Sequence, residues 1–102
     1  MLFRSIKALR DRSENVRFAA AEALGKLGDP QAIPALIEAL GDWEDLWSEN
    51  VRRAAAEALV KIGTPAVPAL IKALGDYRVD VRRAARQAIQ QIQTKQSQTK
   101  RP

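Results

Sequence analysis

An all-α array of stacked, antiparallel helix pairs is the fold this sequence predicts, and three observations predict it. One phrase occurs three times, as VRFAAAEALGKLG at 16–28, VRRAAAEALVKIG at 51–63 and VRRAARQAIQQIQ at 81–93. Within each copy the apolar residues fall at offsets 0, 3, 4, 7, 8 and 11 from the valine, one stripe of an α-helix. A second phrase, AIPALIEALGD at 32–42 and AVPALIKALGD at 66–76, follows the first two copies. A single globular domain has no need to repeat itself, whereas each unit of a stacked array must offer the same face to its neighbours.

The elements follow in order. The chain opens inside a helix of the second kind (B), because IKALRD at 6–11 matches IEALGD and IKALGD. Helices of the first kind (A) start at Val16, Val51 and Val81. Gly28 and Gly63 are placed to end the first two, as a glycine past a helix C-terminus does. Ser13 and Ser48 stand three residues before the valine, where an N-cap fits. The third copy has Arg78 there, which leaves the job to Asp76 or Asp80. Each complete B helix carries one apolar stripe, Ile33, Leu36, Ile37 and Leu40, then Val67, Leu70, Ile71 and Leu74. Pro30 and Pro65 open these helices, and Pro34 and Pro68 lie near the first turn, where a missing N–H costs least. The connections are short, so neighbouring helices run antiparallel. The sequence thus reads as one array over residues 1–93, with a partial first repeat, two full repeats and a final capping helix. A disordered polar tail is expected over 94–102.

Composition narrows the function. With no cysteine and no histidine in 102 residues, the chain has no disulfide, no thiolate zinc site and no histidine base. We find no catalytic constellation, no phosphate loop, and no cofactor or metal ligand set in the sequence. The acids Asp42, Glu44 and Asp45 cluster on a loop without the defined spacing of a metal site. No apolar run approaches the roughly 20 residues of a membrane span. The N-terminus lacks the apolar core of a secretory signal, so a cytoplasmic protein is expected. Residues 1–50 hold 6 Lys/Arg and 9 Asp/Glu (−3), and residues 51–102 hold 11 and 3 (+8), which returns the net +5. A basic half suits either a solvated face or an acidic partner.

VRxAAAEALGKLGDPxAIPALIxAL resembles the short HEAT-like repeat, also called the phycobilisome-lyase repeat, over roughly residues 6–93. The signatures of tetratricopeptide and ankyrin repeats are absent. The resemblance implies a right-handed α-solenoid with A helices outside and B helices lining the concave side. It also implies a ladder of buried Asp and Arg between repeats. Arg17, Arg52 and Arg82 match the arginine, whereas Asn15, Asn50 and Asp80 stand before the valine and only the last is acidic. The family includes bilin-lyase subunits, interaction scaffolds and regulatory modules, and fold does not choose among them.

Differences between the copies locate the candidate contacts. The middle B-to-A turn, LGDWEDLWSENV at 40–51, is four residues longer than LRDRSENV and LGDYRVDV and carries both tryptophans. Trp43 and Trp47 are candidate partner anchors, since Trp often dominates binding energy. On the outward side of the B helices, Gln31, Ala35, Glu38, Ala69, Lys72 and Ala73 complete the candidate partner-binding set. In the third A helix, Gln87, Gln90 and Gln91 replace Glu57, Val60 and Lys61, a change that suits a terminal cap. At the other end, residues 1–5 fit helix B poorly, with Ser5 where Leu36 and Leu70 stand. The reading is therefore the C-terminal piece of a longer array with a foreign start, whose exposed N-terminal stack edge invites self-association. We expect a non-catalytic protein–protein interaction module. The alternative is a helper subunit of a phycobilin lyase, binding a bilin or its acceptor protein. A third reading is nucleic-acid binding through Arg52, Arg53, Arg82, Arg83 and Arg86. Against it, the family's A helices lie outside, so a concave groove does not collect these arginines.

Overall fold

The computed structural model describes residues 2–41 and 48–99, apart from the side chains of Ser48 and of 96–99. Six helices follow one another. They are α1 (Leu2–Ala8), α2 (Glu14–Leu27), α3 (Ile33–Ala39), α4 (Ser48–Ile62), α5 (Val67–Ala73) and α6 (Val79–Thr99). Short 3₁₀ turns at Pro30–Ala32 and Thr64–Ala66 lead into α3 and α5. There is no strand among the described residues. The helices pair as α1 with α2, α3 with α4 and α5 with α6, and the pairs stack along two rows. The A row is α2, α4 and α6, and the B row is α1, α3 and α5. The result is an all-α solenoid of 46 × 31 × 18 Å.

The repeated phrase explains the packing position by position. Offsets 4 and 8 from the valine point at the B row, so Leu24 and Leu59 are fully buried. Offsets 5 and 9 of one A helix meet offsets 3 and 7 of the next. Gly25 lies so close to α4 that a Cβ there would stand 3.0 Å from Ala58 Cα and 3.1 Å from its Cβ. Alanine and glycine recur because the A row stacks backbone nearly on backbone.

The helix ends follow the sequence signals in part. Gly28 caps α2 in the left-handed region, φ 65°, ψ 19°, with its N–H on the Leu24 carbonyl. A Cβ there would meet nothing within 4 Å, so Gly28→Ala is a purely conformational change. It is expected to cost about 1–2 kcal/mol, read as a lower midpoint in urea at unchanged slope. Gly63 closes α4 at φ 84°. Ser13 occupies the N-cap of α2 with extended backbone, but its side chain makes no capping bond. Instead Asp11 Oδ1 accepts the Ser13 N–H at 2.9 Å, and Asp76 Oδ1 accepts the Arg78 N–H at 2.8 Å in the matching turn. Ser48 begins α4 itself. Asp80 lies in the first turn of α6.

The arginine after the first and the third valine holds the preceding turn. Arg17, 5% exposed, donates from Nη1 to the carbonyls of Asp11 (2.9 Å) and Arg12 (3.1 Å). Arg82 Nη1 donates to the Asp76 carbonyl at 2.8 Å. These carbonyls lie in the turns that follow α1 and α5, and the arginine supplies the donor that the turn backbone lacks. Asp80, the one acidic residue at the ladder position, is exposed on the helix surface, as are Asn15 and Asn50.

Four expectations are corrected. Val16 and Leu27, assigned to the buried stripe, are 39% and 49% exposed, because no helix lies over that side of α2; Val51 and Val81, under a preceding helix, are fully buried. Ile71 and Leu74 are exposed for the same reason at the opposite end of the stack. Ala73, expected on the outward side of helix B, is buried: three residues on from the buried Leu70, it turns back onto the same face. Finally, α6 continues to Thr99 instead of ending at 93. No Gly or Pro interrupts 94–99, and Thr94 Oγ1 bonds back to the Gln90 carbonyl at 2.8 Å.

Candidate interaction surface

The side of the B row turned away from the A row carries one residue per helix at a shared register: Lys7, Glu38 and Lys72. All three are exposed, with Pro34 and Pro68 one turn earlier on the same face. Arg10 Nη2 donates to Glu38 Oε2 at 2.8 Å and links the turn after α1 to α3. Both side chains are more than half exposed, so this bridge positions charge and adds little stability.

An open groove of about 480 Å³ runs along the seam of α1 and α3 towards the turn before α6. Its floor is Ile6, Leu9, Ala35 and Ala39, its rim is Arg10 and Glu38, and Gly41, Tyr77 and Arg78 close the far end. There Arg78 donates to Asp76 through Nε (3.0 Å to Oδ1) and Nη2 (3.2 Å to Oδ2). Gly41 makes room for this pair: a Cβ would meet the guanidinium carbon at 2.7 Å and Val81 Cγ2 at 2.9 Å. Arg78 also lies 5.4 Å from the centroid of the Tyr77 ring, which is 86% exposed.

The side-chain hydrogen bond from Arg78, aided by its backbone N–H, holds the Asp76 carboxyl below its ordinary value of 3.8. The same bond raises the Arg78 guanidinium. A carboxyl whose folded pKa is depressed stabilises the fold above its unfolded pKa and loses that contribution as pH falls through the folded value. Asp76→Asn is therefore expected to melt below the parent at neutral pH. The two melting temperatures should converge as pH drops below about 4. Thermal melts across that range check it.

Of the residues singled out from sequence, Gln31, Glu38 and Lys72 are exposed, and Ala35 and Ala69 half-buried, on or beside this face. Ala35 and Glu38 line the groove. Ala73 is removed from the set by its burial. Trp43 and Trp47 lie outside the described residues. Sequence reasoning missed Arg10, Tyr77 and Arg78. A signal for Tyr77 was present, since it follows the Gly-Asp pair of its turn as Trp43 follows that of the longer one. Among the described residues no group of three or more His, Cys, Asp or Glu converges to hold a metal, and no single helix is long and apolar enough to cross a membrane.

The family model for HEAT repeats matches residues 5–46 and 46–99. The chain belongs to the HEAT-repeat family. Among solved structures, this HEAT-repeat chain is similar to one in the complex of CpcE and CpcF of phycocyanin lyase from Nostoc sp. PCC7120. The identity is 37%, the TM-score 0.65, and the match covers 90% of this chain and 37% of that one. The chain thus spans little more than a third of that neighbour's length. No curated protein matches.

Proposed function

We propose that this HEAT-repeat chain is a non-catalytic protein-interaction module, cytoplasmic, whose contact surface is the outward side of the B row with the Trp43/Trp47 loop at its edge. The observation that carries this reading is the groove floored by Ala35 and Ala39, rimmed by Arg10 and Glu38 and ending at Gly41, where that loop begins. Small side chains on the floor let a partner approach the backbone, and exposed charges on the rim select it. Tyr77 adds an exposed aromatic anchor at the far end of the groove. The neighbour is itself one subunit of a two-subunit complex, which supports a protein partner.

The test is capture from a lysate with three baits: the parent, Glu38→Arg/Lys72→Glu, and Trp43→Ala/Trp47→Ala, each checked for folding by circular dichroism. A protein retained by the parent and lost from either variant supports the surface. Equal recovery by all three removes it. The exposed edge at Val16, Ala19 and Ala23 carries the accompanying proposal of self-association, edge to edge, which light scattering would register as a dimer that dissociates on dilution.

The likeness to a phycocyanin-lyase subunit favours one second reading, a helper subunit that binds a bilin or its acceptor protein. Adding bilin to the purified protein decides it, because a bound bilin shifts and sharpens its visible absorption and an unbound one leaves the spectrum unchanged.

A further inference from the structure

Four of the seven large apolar side chains exposed among the described residues fall within 71–79: Ile71, Leu74, Tyr77 and Val79. They gather at the C-terminal end of the stack, on α5 and the turn into α6. In the preceding repeat, the residues equivalent to Ile71 and Leu74 are Ile37, half-buried, and Leu40, fully buried, because the next helix pair closes over them. The B half of the terminal face therefore has the shape and polarity that seats a helix elsewhere in this molecule.

The A half has changed character. Where α2 presents Ala21 and Gly25 to α4, and α4 presents Ala56 and Val60 to α6, α6 presents Arg86 and Gln90, both exposed. Arg82 stands one turn earlier on the same side, exposed, with Nη1 on the Asp76 carbonyl. Another A helix with a Val-Ala-Ala face no longer fits against a guanidinium and an amide. A second copy of this chain is also a poor occupant, because its free N-terminal edge brings Val16, Ala19 and Ala23 against Arg86 and Gln90, and Arg4 towards Arg82 and Arg86. What remains is an apolar strip beside a basic strip.

We propose that this terminal face docks a single amphipathic helix of a partner protein, whose apolar stripe covers Ile71, Leu74 and Val79 and whose flanking carboxylates meet Arg82 and Arg86. It takes the place of a further B helix without the A helix that would complete a repeat. Recognition is by charge: the face accepts an acidic amphipathic helix and rejects its basic counterpart.

The test uses the whole chain and two labelled synthetic peptides of about 20 residues, long enough to hold a helix. They share one apolar stripe and differ only in flanks of Glu or Lys. Fluorescence anisotropy at low salt is expected to show the Glu peptide binding at least about tenfold more tightly than the Lys peptide. Ile71→Asp and Arg86→Glu, both changes of exposed side chains, should each weaken the Glu peptide by at least about tenfold. Glu38→Arg/Lys72→Glu, on the B-row face, should leave it bound, so the two surfaces are read separately. Equal binding of the two peptides would overturn the proposal, as would unchanged binding by both edge variants. So would sedimentation of the parent with phosphatidylserine vesicles that the same variants abolish, since the face would then belong to a lipid surface.

Discussion

Leu59→Ala is expected to cost about 2–5 kcal/mol, enough to unfold much of the population at moderate temperature. Leu59 has no solvent exposure and sits in the central A helix, where α2, α3 and α6 all pack. Removing its side chain leaves a cavity bounded by helices that share neighbours on both sides and cannot collapse independently. At about 4–8 °C per kcal/mol for a chain of this size, the melting temperature should fall by at least about 8 °C. Leu27→Ala is the control. It lies in the same phrase, at a stripe position, yet is about half exposed, and its cost should stay within about 1 kcal/mol. If both variants melt with the parent, the core has been assigned to the wrong face.

Gly25→Val is expected to be the second large effect, through crowding instead of a cavity. A Cβ at Gly25 already stands 3.0 Å from backbone of α4, and two further methyl groups have no space between the helices. The A row must open there, at a cost of about 1–3 kcal/mol or more. Because α2 joins α4 mainly through this seam, the N-terminal pair should loosen first. Hydrogen exchange in α1 and α2 should then rise before exchange in α5 and α6 does. Uniform acceleration along the chain would mean that the stack unfolds as one unit and that the seam has no separate weight.

Much of this architecture was legible because each repeat states its own face. The valine, the alanine-rich turn and the paired aliphatics fix an A helix, and Gly28 and Gly63 end it where the sequence places the stop. What the phrase does not encode is whether a neighbour is present. Val16 and Val51 are the same residue in the same context, and only the helix stacked over Val51 buries it. The same holds for Leu40 and Leu74. Ala73 was misread because alanine fits either side of a helix. Lys72 and Glu38 lie on the outside, where a charged side chain belongs. The full length of α6 is not legible because a polar run reads as a tail, whereas without glycine or proline it continues an existing helix at little cost. The groove escaped notice because it joins α1, α3 and the turn at 76–78, segments far apart in the chain. Its residues also follow no motif.

The central claim is that the outward side of the B row is where this HEAT-repeat module meets its partner. Hydrogen–deuterium exchange of the protein, free and bound to the partner recovered by capture, tests it most directly. The account predicts slowed exchange in peptides covering 31–41 and 64–74, together with 42–47, and little change along 16–27 of α2. Protection confined to α2 and α4 on the A row, with the B-row peptides unchanged, would contradict it.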